Sequence, residues 1–390
     1  MDFKELLAPY MDEMLRCTRC GFCQAACPTY DALRMESAVA RGKIQLLLSV
    51  LNGRLDLSPK LSYYVYRCLD CRLCQQTCLS GVRTDEIFEG ARRWLAHVDA
   101  LPAPLRALEE RVFTSHNIAG EDNTHRTLWQ ENMNLEVPAG QPAEAVFFVG
   151  CVASLYPMVY SIPQAFVQVL QRAGVTFTTL GGEEWCCGYP LISAGRDVEP
   201  LIEHNIRAVE ALGARWLITS CPSCYHTWKL KYPPASFQVV HATELLAALI
   251  DEGRIVPAHP PALRRAGDTA GPLRVTYHDP CDLGRKSGVY DAPRHVITSL
   301  PGVELVEMST HHALATCCGG GGNLESIDPE LSAQIAGRRL AQAQRVKAEV
   351  IVTACQQCQR TLGMAARRQR LRMPVMDVAE LLLSTLEEPA

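Results

Sequence analysis

The sequence predicts an α+β multidomain protein, an all-helical N-terminal module followed by two duplicated α/β domains. Three observations predict it. A run of four closely spaced cysteines occurs twice in the first 80 residues, with helical periodicity between the copies. From Ala145 onward, short apolar runs alternate with helical patterns, the texture of α/β domains with a mainly parallel sheet. The pattern that starts there then recurs after a proline-rich linker, cysteine for cysteine, which is an internal duplication. The implied boundaries are 1–100 for the N-terminal module, 101–143 for a connector, and 144–254 and 273–388 for the two repeats.

Composition narrows the function classes. The 390 residues are enough for two or three domains with sizeable cores. Hydrophobic content of 48% and charged content of 21% are those of an ordinary globular protein. The net charge is −4 and Lys and Arg are scattered, so no basic field argues for nucleic acid. Residues 1–13 carry Asp2, Glu5, Asp12 and Glu13 and lack an apolar core, unlike a secretory signal. No run of about 18 apolar residues exists, so no transmembrane segment is expected. Eighteen cysteines without a targeting segment point to a reducing, cytoplasmic setting and to metal binding over disulfides.

Residues 2–15 read as a short helix delivering Cys17-Thr-Arg-Cys20-Gly-Phe-Cys23-Gln-Ala-Ala-Cys27-Pro28. This is the C-x2-C-x2-C-x3-C-P run with which bacterial ferredoxins hold cubane [4Fe–4S] clusters. Three sulfurs from one tight loop reach three corners of the cube, and the fourth ligand comes from elsewhere. Cys68, Cys71, Cys74 and Cys78 repeat the spacing, so each run lends its last cysteine to the other's cluster. Cys17, Cys20, Cys23 and Cys78 would then hold one cubane, and Cys68, Cys71, Cys74 and Cys27 the other. A structural zinc site pairs two C-x2-C units across a longer gap and fits poorly. Leu79 stands where proline is expected after Cys78, which predicts a changed turn around an intact cluster.

Between the loops, Glu36 to Leu51 is apolar at helical spacing and Asn52-Gly53 ends it. Leu61 to Tyr66 leads into the second loop, and Asp85 to His97 reads as a further helix. Tyr63, Tyr64 and Tyr66 read as packing around a cofactor. The connector holds prolines at 102, 104, 138 and 142, and its Trp129 reads as a hydrophobic anchor.

In the first repeat, the strand 145–149 runs into Gly150-Cys151, and a helix over 160–172 closes at Gly174. Glu184-Trp-Cys186-Cys187-Gly188 follows, then a helix over 198–212. The strand 215–220 ends at Cys221-Pro-Ser-Cys224, and His241-Ala-Thr-Glu-Leu-Leu246 opens a closing helix. After the linker 256–272, the strand 273–277 leads to His278-Asp-Pro-Cys281. Cys317-Cys318-Gly319 matches the first Cys-Cys-Gly, and 348–353 leads to Cys355-Gln-Gln-Cys358. Asp377-Val-Ala-Glu-Leu-Leu382 then mirrors the first closing helix.

The two sets are Cys151-x34-Cys186-Cys187-x33-Cys221-x2-Cys224 and Cys281-x35-Cys317-Cys318-x36-Cys355-x2-Cys358. Each cysteine lies after a strand, at a glycine turn or at a strand-to-helix junction, positions that gather at the carboxyl ends of strands. Five thiolates exceed the four that zinc uses, and an adjacent pair suits sulfurs bridging neighbouring irons. The loops and the two sets together account for all eighteen cysteines.

On these motifs, from Cys17 to Leu382, the chain resembles the family that joins a two-cluster ferredoxin module to two cysteine-rich CCG domains. That family includes the iron–sulfur subunit of glycolate dehydrogenase (glycolate oxidase), its lactate and glycerol-3-phosphate counterparts, and the catalytic D polypeptide of heterodisulfide reductase. The resemblance implies one or two further [4Fe–4S] clusters of a noncubane kind. Cys151, Cys186, Cys187, Cys221 and Cys224 would hold one, and Cys281, Cys317, Cys318, Cys355 and Cys358 another. His278, beside Cys281, is the one candidate for a catalytic proton donor in thiol chemistry; with Asp279 it reads better as a hydrogen-bond partner of a cluster sulfur. The Gly319 to Gly322 run lacks the features of a phosphate loop and reads as allowing close backbone approach.

No flavin or nicotinamide motif is present. The function the resemblance implies is an electron-transfer subunit of a flavin-dependent 2-hydroxyacid (glycolate or lactate) dehydrogenase, and the missing flavin motif places the flavin on a partner. It would take electrons from an FAD-containing partner subunit to a quinone or other carrier, in the cytoplasm or at the inner face of a membrane through that partner. The alternative is a heterodisulfide reductase-like thiol–disulfide oxidoreductase in which a noncubane cluster binds the substrate sulfur.

Overall fold

The structure, a computed structural model, describes residues 6–263 and 271–386. The first four residues of the expected N-terminal helix, part of the second linker and the end of the second repeat lie outside these. The chain divides into two compact units. One comprises residues 1–110, 188–198 and 312–339, and the other 111–187, 199–311 and 340–390.

The first unit is helical, as its sequence predicts. Short helices Phe22–Ala26 and Pro28–Leu33 follow the first cysteine loop, Leu73–Gln76 lies within the second, and Ala40–Leu51, Pro59–Tyr66 and Thr84–His97 form the body. Cys27 caps the helix that Pro28 begins, its Sγ accepting from Tyr30 N at 3.4 Å, and proline suits that first position because its missing N–H had no partner there anyway. After Cys78 no helix starts; Leu79 stands exposed in a turn closed by Gly81 N donating to Cys78 O at 3.1 Å.

The helix expected over Glu36 to Leu51 is divided. A 3-10 turn, Glu36–Ala38, is followed by Val39 in extended backbone, and the α-helix is Ala40–Leu51. The buried stripe Ile44, Leu47, Leu48 and Leu51 is the predicted one. The break arises because Val39 turns the chain, folding the 3-10 turn back on the helix. A Cβ at Gly42 would lie 1.9 Å from Glu36 O. Of the tyrosines only Tyr66 is core, its hydroxyl 2.9 Å from Ala194 O; Tyr63 is exposed.

The second unit holds both sheets. Strands β1 Ala145–Phe147, β2 Phe177–Thr179, β3 Trp216–Thr219 and β4 Gln238–His241 pair in the order β2-β1-β3-β4, all parallel. Strands β5 Leu273–His278, β6 Val303–Leu305, β7 Val350–Thr353 and β8 Val375–Asp377 repeat this as β6-β5-β7-β8. The central strands are buried on both faces, which is why they read as apolar runs. One core serves both repeats. Phe147, Phe166, Leu246, Val275, Tyr277, Val296 and Leu382 belong to a single cluster, with the helix Ser161–Arg172 against Val378–Leu383 and Ala242–Asp251 against Asp291–Thr298.

The connector is more than a linker. It contains the helix Ala103–Ser115 and the 3-10 stretch Asn123–Gln130, and Trp129 is buried in the core of the second unit.

Candidate metal centres

No disulfide links any of the eighteen cysteines. In the helical unit a small cavity is lined by Cys27, Cys68, Cys71 and Cys74, so the last cysteine of the first loop stands with three of the second. This is a dry pocket: burial pushes the Cys27 thiol up to about 11, with Lys43 pulling the other way, and burial holds Cys74 well above its usual range. Lys43 is itself buried, and its ammonium donates to Ala38 O.

Cys17, Cys20 and Cys23 form the other group; burial pushes the Cys23 thiol up, and its two neighbours in the loop add to this. Cys20 is exposed, and the Phe22 N–H holds its thiol below the usual range. Thr18 and Ser80 hydroxyls 3.3 Å apart bring the segment after Cys78 to this loop. Arg41 frames it, donating to Gln24 Oε1 at 2.7 Å and Arg19 O at 3.3 Å.

The first five-cysteine set converges at the carboxyl end of its sheet. Cys151 opens a helix just after β1, with Gly150 at φ 82° before it; Cys221 and Cys224 follow β3, Cys221 Sγ accepting from Cys224 N at 3.4 Å. A side chain at position 150 would press on Cys224 Sγ, so glycine there leaves room for the thiols. The Cys151 thiol is pushed well up by its hydrogen bond with Cys186 and by burial, with Arg126 opposing both. Cys224 is pushed up by hydrogen bonds with Cys187 and Cys221, then by burial. These pairings join Cys151 to Cys186, and Cys187 and Cys221 to Cys224, with Cys186 and Cys187 adjacent in the chain.

Residues that sequence reasoning did not single out hold this set. Asn205, fully buried, donates to Cys186 O and to the Tyr232 hydroxyl, both at 3.1 Å, and accepts from Trp185 N at 3.2 Å. Tyr232 donates to Cys187 O at 3.1 Å. Gln356, from the second repeat, donates to Val149 O at 2.7 Å and Ser220 Oγ at 3.0 Å and accepts from Ala153 N at 3.0 Å. Arg126 donates to Cys151 Sγ at 3.0 Å. His116 and His204 sandwich Trp185, each ring centroid 3.6 Å away. Arg126, Asn205 and Tyr232 stand in no cysteine motif, and Gln356 stands in that of the other repeat, Cys355-Gln-Gln-Cys358.

The second set is divided between the units. Cys281 follows β5; Cys355 and Cys358 follow β7, Cys355 Sγ accepting from Cys358 N at 3.3 Å. Buried His278 has a ring nitrogen within 4.8 Å of Cys358 Sγ. Asp279 accepts from Arg294 Nη1 and Nη2 at 2.7 and 2.9 Å. Cys317 and Cys318 belong to the helical unit, where they accept from Gly319 N at 3.5 Å and Gly320 N at 3.4 Å. The glycine run packs onto the second cysteine loop there: Cβ atoms at 321 and 322 would lie 2.8 Å from Leu69 O and 2.4 Å from Cys68 O.

Cysteines clustered along loops and strand ends, with backbone N–H groups aimed at several of their sulfurs, fit iron–sulfur clusters, whose thiolate charge such donors offset.

Comparisons with known proteins agree. The model of the 4Fe-4S dicluster domain matches residues 13–82, and that of the cysteine-rich CCG domain matches 145–229 and 275–363. The chain is 32% identical to the D polypeptide of the dihydromethanophenazine:CoB–CoM heterodisulfide reductase of Methanosarcina mazei, over 99% of this chain and 97% of that protein. It is 29% identical to the glycolate oxidase iron-sulfur subunit of Escherichia coli over 91% of each. EtfAB:quinone oxidoreductase of Syntrophomonas wolfei is 26% identical, over 95% of this chain and 58% of that one. A hypothetical protein from Helicobacter pylori shares the fold, with a TM-score of 0.52 at 12% identity over 100% of this chain and 78% of the other. The chain thus belongs to the CCG-domain iron–sulfur family of the heterodisulfide reductase D polypeptide and the glycolate oxidase iron–sulfur subunit, as an oxidoreductase component with several [4Fe–4S] clusters for electron transfer.

Proposed function

We propose that this chain is the electron-carrying subunit of a flavin-dependent 2-hydroxyacid dehydrogenase, taking electrons from a partner flavoprotein to a quinone or another carrier. [4Fe–4S] clusters, when bound, accept and release single electrons. Cys17, Cys20, Cys23 and Cys78 would hold one cubane and Cys27, Cys68, Cys71 and Cys74 the other, with the two five-cysteine sets holding noncubane clusters. The observation that carries the reading is the enclosure of the first set. Four of its five cysteines are buried, and Arg126, Asn205, Tyr232 and Gln356 close around them. Such an enclosed site suits an electron relay. Abstraction of hydride from a hydroxyacid then falls to a flavin on a partner. The relative from Escherichia coli, named as a glycolate oxidase subunit, supports this assignment. In this reading the chain works in the cytoplasm. Among its described residues no helix is long and apolar enough to cross a membrane, so a membrane quinone would be reached through partners.

The second reading is thiol–disulfide reduction at the second set. It is favoured by the completeness of that set, by buried His278 close to Cys358, and by likeness to the heterodisulfide reductase D polypeptide along the full chain. Anaerobic pull-down from the native host separates the two. A co-purifying flavoprotein, with bleaching of the iron–sulfur absorption by glycolate or D-lactate, is the expected result. No flavin, no bleaching, and reoxidation of the reduced chain by a disulfide would replace the first reading with the second.

A further inference from the structure

We propose that Arg126 is a positioning residue that sets the reduction potential of the first five-cysteine site, by placing a permanent, desolvated positive charge against the Cys151 sulfur. The inference rests on a cluster being held by that set. Arg126 lies on the 3-10 stretch Asn123–Gln130, outside the segments matched by either family model. Its side chain is 2% exposed. A guanidinium has five N–H donors, and here each has an acceptor. Nε donates to Asn123 Oδ1 at 2.8 Å, Nη1 to Glu184 Oε1 at 2.7 Å and Ser154 Oγ at 3.1 Å, and Nη2 to Cys151 Sγ at 3.0 Å and His116 O at 3.4 Å. A fork satisfied at every hydrogen is fixed in direction, so the charge stays on the sulfur.

Glu184 does not simply cancel it. Its carboxylate also accepts from Val149 N at 2.7 Å and Gly150 N at 2.8 Å, so its charge is shared with two backbone dipoles on the approach to Cys151. A cluster gains negative charge on reduction, and in a site of low dielectric a fixed cation nearby favours the reduced form. The second repeat is arranged otherwise. Its Arg294 is taken up by two carboxylates, Asp279 and Glu307. Arg126 should therefore raise the potential of the first site above what the shared fold alone would give.

The test is dye-mediated redox titration of the anaerobically purified, cluster-loaded chain, followed by electron paramagnetic resonance. The first-site resonance is identified as the one lost in Cys187→Ser. No hydroxyacid or disulfide is involved, so the result is independent of the proposed substrate. Arg126→Gln is expected to lower that site's midpoint by a tenfold or greater change in its reduced-to-oxidised ratio, about 59 mV for one electron. Arg126→Lys should recover most of the shift, Glu184→Gln should move it upward, and the cubane resonances should stay in place. Should Arg126→Gln fail to hold the cluster, Glu184→Gln decides the matter, since the lysine variant keeps the charge. A first-site midpoint at the wild-type value in Arg126→Gln or, failing that, in Glu184→Gln, or all clusters shifting together, would overturn the proposal. If Cys187→Ser removes no resonance, the ligand assignment falls and takes this inference with it.

Discussion

The two repeats share strand order, parallel pairing and the placement of cysteines after their central strands, yet their site linings differ in chemistry. β1 runs out through Phe148-Val149-Gly150, whereas the corresponding end of β5 is His278-Asp279-Pro280. Glu184, two residues before the first Cys-Cys pair, accepts the Val149 and Gly150 N–H groups. At the matching place the second repeat has Ala315 and no carboxylate, and Pro280 has no N–H to offer. Duplication has kept the thiols and the scaffold while charges and hydrogen bonds around them diverged. If both sets hold clusters, as proposed, the two sites would in this way differ in potential.

The largest break in the comparison should come from its shared core. Phe147 and Tyr277 occupy corresponding strand positions and are both buried, but the Tyr277 hydroxyl has no hydrogen-bond partner among the described residues. Phe147→Ala should cost about 3 to 5 kcal/mol. Tyr277→Phe, which gives the second repeat the first repeat's residue, should be neutral or stabilising by about 1 kcal/mol. Thermal midpoints moving down for the first and not for the second check this; a loss for Tyr277→Phe would show that the hydroxyl has a role.

Gln356 couples the repeats, since its amide serves three groups of the first. Gln356→Ala strands buried Val149 O and Ala153 N, and each unsatisfied group costs about 1 to 3 kcal/mol. The expected outcome is a lower thermal midpoint together with a perturbed first-site resonance. An unchanged spectrum would limit Gln356 to holding the repeats together.

The smallest effect is also the most symmetrical. His241 and Asp377 each cap the closing helix of their repeat in a capping box with Glu244 or Glu380. Burial lowers His241 to about 3, so it stays neutral when folded while the unfolded chain takes a proton below about 6.5. Its contribution is intact above that value and is lost as pH falls toward 3, by at most about 1.4 kcal/mol per pH unit. Burial raises Asp377 well above 3.8. Its contribution is intact below 3.8 and is lost as pH rises through the raised value. Against pH, His241→Asn should therefore remove a rise in thermal midpoint between about 3 and 6.5, and Asp377→Asn a fall that begins above 3.8. The same slope lost in both would contradict the sign of one shift.

What was legible in the sequence was local. The four-cysteine loops, the Cys-Cys-Gly turns and the paired C-x2-C steps are short patterns whose spacing follows from the reach of a sulfur. The central strands were legible because burial on both faces leaves an apolar run. The edge strands β2, β4, β6 and β8 are only partly buried, carry no such continuous apolar run and escaped notice. The break at Val39 was hidden because its buried face keeps the helical period across the turn. Arg126, Asn205, Tyr232 and Gln356 were invisible for a different reason. Each meets the first cysteine set only through tertiary structure; Arg126, Asn205 and Tyr232 stand in no ligand pattern, and Gln356 stands in that of the other repeat.

The most direct test of the account is iron analysis with Mössbauer spectroscopy of the anaerobically purified chain beside Cys187→Ser and Cys318→Ser. Each [4Fe–4S] cluster contributes about four irons. The account predicts that each variant loses one cluster's iron and its own spectral component, with the two cubanes retained. Iron for the cubanes alone in the wild type, unchanged in both variants, would contradict it.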